Sequence, residues 1–139
     1  MDRVFKTFDH TADIGLRAFG RTLPEAFVNA ARGMFSLITD SRRVRGAISL
    51  EIEINAVDQS ALLMEWLNEL LYRFDAEQFV CKKFLISEFS QTSLKAECRG
   101  EKVDRRRHSL KRGIKAATFH KLKIEATPQV YQIEVILDV

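Results

Sequence analysis

The chain has 139 residues, a mass of 16.0 kDa and a formal net charge of +3. Hydrophobic residues make up 46% and charged residues 29%, which excludes a disordered tail protein. No apolar run approaches the ~20 residues of a membrane span, and Met1–Lys6 has no apolar stretch of the kind a signal peptide needs.

That length fits one domain, 1–139. The two cysteines, Cys81 and Cys98, form no C-x-x-C pair. They read as small, partly buried thiols of a reducing cytosol, able to face each other across a hairpin.

In chain order, residues 3–9 and 12–19 read as strands. In the second, Ala12, Ile14, Leu16 and Ala18 alternate with Asp13, Gly15, Arg17 and Phe19, the period of a sheet with one buried face. Thr22 and Glu25 form an S/T-x-x-E capping box with Pro24 in the first turn, and apolar residues at helical spacing predict an amphipathic helix over 23–38. Asp40 to Gly46 is a polar, Arg-rich loop.

Strict alternation predicts a strand over 48–56. Asp58 then stands where an N-cap acceptor would, ahead of a second helix over 59–74 with a wide apolar stripe from Leu62 to Phe74. From residue 79 onward the pattern is β, with hairpins over 83–89/92–100 and 113–126/129–138. The stretch 101–112 between them reads as a loop or marginal helix. The order ββαβα followed by four β elements predicts an α+β two-layer sandwich, a mostly antiparallel sheet with both helices packed on it.

Common catalytic signatures are absent: there is no P-loop, no H-E-x-x-H and no G-x-S-x-G. The three histidines show no zinc spacing. His10 reads as a residue that caps a turn or bonds a backbone carbonyl. His120 falls in phase with Ile114, Ala116, Thr118, Leu122 and Ile124, which predicts a core histidine, or a site residue if it lies at the sheet edge beside His10.

Asp138 and the main-chain carboxylate of Val139 put two negative groups one residue apart at the end of the last strand. A hard cation with oxygen ligands would relieve their repulsion, and Asp13 could supply a third carboxylate. Spacing alone favours separate, solvated acids, because Asp13 and Asp138 lie 125 residues apart in sequence.

Charge is uneven. Arg99 to Lys115 carries eight basic and two acidic residues, so the rest of the chain sums to −3. Arg105, Arg106 and Arg107 read either as a solvated loop or as a contact for an acidic or RNA-loaded partner, and no exposed aromatic platform accompanies them. One functional reading is therefore a nucleic-acid-binding or chaperone-like module for RNA processing, acting through the basic loop 99–115.

Taken together, His10-Thr11-Ala12-Asp13-Ile14-Gly15-Leu16, Leu23-Pro24-Glu25-Ala26-Phe27, Asp58, Trp66-Leu67-Asn68-Glu69-Leu70-Leu71, Ile114-Lys115-Ala116-Ala117-Thr118-Phe119-His120 and Leu137-Asp138-Val139 resemble the archease family over nearly the whole chain. Phe119 stands where many members have Tyr, a change that removes a hydroxyl and should keep the packing.

The resemblance implies an accessory protein and not an enzyme. Archeases are cofactors of RtcB-family RNA ligases in tRNA splicing and repair. They promote guanylylation of the ligase's active-site histidine, so that the ligase turns over repeatedly and accepts more nucleotides. It also implies a divalent cation, calcium with magnesium as the alternative, held by Asp13, Asp138 and Val139. His10, Lys115 and His120 are implied on the same functional face. The expected setting is cytoplasmic, with the ligase as partner, RNA contact at most indirect, and no membrane.

Overall fold

The computed structural model describes residues 4–10 and 12–139, without the side chain of His10. Seven strands and two α-helices follow in the order β1 (Phe5–His10), β2 (Asp13–Gly20), α1 (Leu23–Ile38), β3 (Ile48–Asn55), α2 (Gln59–Glu77), β4 (Phe79–Phe89), β5 (Ser93–Lys102), β6 (Ala116–Ala126) and β7 (Tyr131–Asp138). A short 3-10 turn, Ser41–Arg43, follows α1. The α+β class with antiparallel strands and two helices is the one the patterning predicts, and the strands divide into two sheets. One is ordered β1-β2-β7-β6 and the other β3-β5-β4, with every pairing antiparallel.

Local chemistry explains the helix bounds. The Thr22 side chain accepts the Glu25 N–H at 3.2 Å, and Pro24 lies in the first turn, where its missing N–H costs nothing. Asp58 accepts the Ala61 N–H at 2.8 Å at the start of α2. This second helix runs three residues past the predicted end. Arg73 ties Glu69 at 2.7 Å and Glu77 at 3.4 Å on its surface, and Gln78 then stops it in the left-handed conformation, φ 54°.

Each helix touches strands of both sheets, so the two layers share one core. Trp66, Phe27, Phe35 and Leu16 are fully buried there. Phe84 stacks near both Phe35 and Trp66, with ring centroids 5.8 and 6.1 Å away. The indole N–H of Trp66 donates to the Phe27 carbonyl at 3.0 Å, which joins α2 to α1 and satisfies this buried donor. Cys81 and Cys98 are both free and buried on neighbouring strands. The hydrogen bond to Cys98, reinforced by burial, pushes the Cys81 thiol far up, so it is an inert packing group. Among the described residues no helix is long and apolar enough to cross a membrane.

Two sequence expectations need correction. Ile48, expected on the half-buried face of β3, is 45% exposed because the buried run of that strand begins only at Ile52. His120 is not a core histidine: it is exposed. The period of β6 breaks between Thr118 and Lys123, where Lys121 takes φ 53° and four residues oppose a single β7 position. Before the bulge, Ala117 opposite Leu137 is the buried residue of β6 and Ala116 and Thr118 are only half-buried, so the phase that would put His120 inward is already off by one where the strand begins.

Candidate functional site

The site grows out of strand register. β1 and β2 form a tight hairpin in which His10 pairs with Asp13. Thr11 and the side chain of His10 lie outside the described residues. Ala12 at the turn has φ 66°, a left-handed conformation that costs a residue with a Cβ roughly 1 kcal/mol. β2 then pairs with β7 up to Ile14 opposite Leu137, and extending that register by one step would set Asp13 against Asp138. On the far side of β7, Asp138 pairs with Ala116 of β6, and its carbonyl accepts the Lys115 N–H at 2.7 Å.

The ends of four strands therefore gather at one margin of the sheet, with Asp13, Asp138, Val139 and Lys115 together. Asp13, Asp138 and Val139 are each half-buried and Lys115 is exposed. Residues directly opposite on antiparallel strands share a face and stand about 5 Å apart at Cβ. Ile14 and Leu137 point inward and are buried, so Asp13 and Asp138 share the outward face. Two carboxylates so placed repel each other.

The donor set bears on the expected cation. Carboxylate and main-chain oxygens are the hard ligands that calcium and magnesium take, and the two free thiols are buried in the core. Among the described residues no group of three or more His, Cys, Asp or Glu side chains is arranged to hold a metal. The expected set needs only two such side chains, with Val139 contributing main-chain oxygen. The residues present fit a hard cation.

The remaining predicted residues are dispersed. His120 sits in the β6 bulge, beyond the last registered pair on the Ala116 side, Thr118 with Ile136. Phe119 does not keep a packed position: it is 62% exposed and lines a groove of about 380 Å³ with Tyr72, Glu65 and Asn68. The loop 103–115 is irregular, and it divides the arginine run. Arg105 and Arg106 are exposed, whereas Arg107 makes a bidentate pair with Glu101 at 2.6 and 2.9 Å and a longer one with Asp104 at 3.4 Å.

Glu101 is 8% exposed and also accepts the Arg45 N–H at 2.6 Å. His108 lies 3.0 Å from it through Nε2, while His108 Nδ1 accepts the Asp104 N–H at 2.9 Å. An Nδ1 that accepts carries no proton, so Nε2 donates to Glu101. Arg107 first of all, with the Arg45 N–H and His108, holds the Glu101 carboxyl down to about 2 against the opposing effect of burial. Arg107 thus has a structural role in this loop.

Asn68 is a positioning residue that stripe counting missed. Its Oδ1 accepts the Ala117 N–H at 2.9 Å and its Nδ2 donates to the Ala117 carbonyl at 3.2 Å. The side chain of α2 thereby fixes β6 where it leaves Asp138. Its only sequence signal is a polar residue inside an apolar helical stripe. Asn68→Ala leaves the N–H and carbonyl of the buried Ala117 unpaired and should cost about 2 kcal/mol, read by chemical denaturation. The added amide exchange should concentrate at 115–118.

Fold and corner together define a class: small α+β proteins of two antiparallel sheets and two helices, in which the first hairpin meets the last strand. The chain matches the Archease protein family model over residues 5–139. It is 41% identical over 138 residues to the archease of Saccharolobus islandicus, covering 99% of each chain. It is 37% identical over 136 residues to that of Sulfurisphaera tokodaii, covering 97% of this chain and 98% of the other.

Among solved structures it resembles the solution structure of Methanobacterium thermoautotrophicum protein 1598, with a TM-score of 0.81, 35% identity and coverage of 98% and 99%. The crystal structure of a Thermotoga maritima archease, described as a possible chaperone, shares the fold at a TM-score of 0.67, 20% identity and 96% coverage of both chains. The chain belongs to the archease family. Membership is consistent with an accessory protein that acts with a partner protein.

Proposed function

We propose that this protein is a non-enzymatic activator of an RtcB-family RNA ligase, promoting guanylylation of the ligase's active-site histidine so that the ligase turns over repeatedly and with broader nucleotide use. The reading rests on family membership and on one observation above all: the β2–β7 register runs up to Ile14 opposite Leu137, the immediate neighbours of Asp13 and Asp138, at the margin where Lys115 also lies.

In this reading Asp13 and Asp138 hold a divalent cation, calcium or alternatively magnesium, with Val139 contributing main-chain oxygen. When bound, the cation supplies positive charge that neutralises the paired carboxylates and orders their oxygens. Lys115, held to Asp138 through the backbone, keeps the β6 start against the two acids. This face docks transiently beside the ligase's nucleotide pocket, with Lys115 at its edge and His120, farther along β6, as a second proposed contact. Its fixed charges orient the triphosphate for attack by the ligase's histidine. Two free, buried thiols support a reducing, cytoplasmic setting.

A multiple-turnover tRNA ligation assay with the cognate ligase tests the proposal. Adding the protein should raise product well beyond one equivalent of ligase, and a calcium-selective chelator should return it toward the ligase-alone level. Product that stays at the ligase-alone level when the protein is added would contradict it.

A further inference from the structure

The sequence separates two arginine-rich segments, 40–46 and 101–112, by more than fifty positions. The structure stitches them together. The Arg45 N–H donates to Glu101 at 2.6 Å, the Thr39 hydroxyl to the Ser109 carbonyl at 3.0 Å, the Lys111 N–H to the Ile38 carbonyl at 2.7 Å, and the Arg107 guanidinium to the Arg43 carbonyl at 3.4 Å. The two segments carry nine basic and three acidic residues.

All three acids are committed internally. Asp40 is held by Arg42 at 2.8 Å, Glu101 by Arg107, and Asp104 by Arg107 and the Arg106 N–H. Arg43, Arg45, Arg105, Arg106 and Arg112 remain exposed, and none is within ion-pair distance of a carboxylate among the described residues. Gathering five cations without counter-charge destabilises a fold unless an anion uses them.

We infer that these five arginines from two loops form one composite surface that binds the phosphate backbone of double-stranded RNA. The chemistry selects this partner. Protein interfaces depend on apolar anchors at their centre, but the exposed large hydrophobic residues, Ile48, Val57, Tyr72, Leu85 and Phe119, all lie outside both loops. Single-strand binding needs exposed aromatic stacking platforms, and the loops hold no Phe, Tyr or Trp, while His108 is buried. What remains is guanidinium chemistry without base reading, which suits regularly spaced backbone phosphates.

The surface adjoins the carboxylate corner. Lys111 is bonded at the C-terminal end of α1 and Lys115 at Asp138. Four residue steps of at most about 3.6 Å keep them within roughly 14 Å. Bound RNA would therefore lie next to the face assigned to the ligase. That the duplex is RNA rests on the functional reading above; the surface itself does not.

Fluorescence anisotropy with a short labelled RNA duplex tests the inference on the protein alone. Association should weaken with salt at a logarithmic slope of about −4, as expected for four to five phosphate contacts. Arg43→Gln/Arg45→Gln and Arg105→Gln/Arg106→Gln should each flatten that slope by about 2 and weaken binding roughly tenfold or more near 0.1 M salt. Lys82→Gln/Lys83→Gln, which removes exposed charge on β4, should change neither.

An unaffected Arg43→Gln/Arg45→Gln variant overturns the composite surface. Equal loss in the β4 variant, or absence of salt-dependent binding, overturns specific docking. Equal or tighter binding of a DNA duplex or of poly-glutamate overturns the RNA assignment. Failed RNA binding with intact ligase stimulation defeats this inference alone, whereas failed stimulation with intact RNA binding defeats the functional reading alone.

Discussion

Asp13→Asn and Asp138→Asn should each abolish stimulation of multiple-turnover ligation, with at least a tenfold loss, while leaving the protein folded. Both residues are half-buried at the sheet margin, so neither amide leaves a hole in the core. In the metal-free protein the substitutions remove a like-charge pair from opposite positions of neighbouring strands. Like charges so placed destabilise by a few tenths of a kcal/mol to about 1 kcal/mol. Metal-free Asp138→Asn should therefore melt at or slightly above the wild-type temperature, although it is inactive. Loss of activity through unfolding would lower that temperature, so differential scanning calorimetry separates the two explanations. Full stimulation by both variants would refute the mechanism.

Glu101→Ala should be the most destabilising single substitution in the basic region. It removes the shared acceptor of Arg107, His108 and the Arg45 N–H from a site only 8% exposed. Breaking a buried pair that leaves its partners unpaired costs about 3 kcal/mol or more, and Arg107 is partly solvated, which favours the low end. That corresponds to a fall of roughly 10 °C in the melting midpoint for a chain of this size. Arg107→Gln should lose a large part of the same stability, and Arg105→Gln should stay within about 0.5 kcal/mol of wild type.

The pH dependence has a definite sign. Glu101 is ordinarily half-protonated at 4.5 and is held at about 2 in the folded protein. Its contribution is complete above 4.5 and disappears as pH falls toward 2. Wild type should lose stability across that window more steeply than Glu101→Gln. Asp40 is also held at about 2 by Arg42, but it sits at the surface, where solvent and salt screen the pair.

Much of the framework was legible because it rests on local chemistry. The capping box at Thr22 and the first helix appear where period and cap place them, and the alternating faces of β2 and β7 follow their sequences. What failed depends on contacts between distant segments. No pattern reveals that the strands form two sheets, because alternation marks a buried face without saying which neighbour covers it. The phase that put His120 inward failed because β6 starts with Ala117, not Ala116, opposite the buried Leu137, and a bulge follows where Lys121 carries no sign of its positive φ.

Asp13 and Asp138 could be named by resemblance alone. The β2–β7 register adds that their immediate neighbours, Ile14 and Leu137, are paired. In the arginine run, three identical residues proved unequal because one of them meets a buried acid six positions earlier in the chain.

The central claim is that Asp13 and Asp138 act as one cation-holding corner, and calorimetric titration of the metal-free protein with calcium tests it most directly. The account predicts one site per chain, a melting temperature that rises with calcium, and loss of both in Asp13→Asn and in Asp138→Asn. Calcium binding that survives in either variant with unchanged affinity would contradict it.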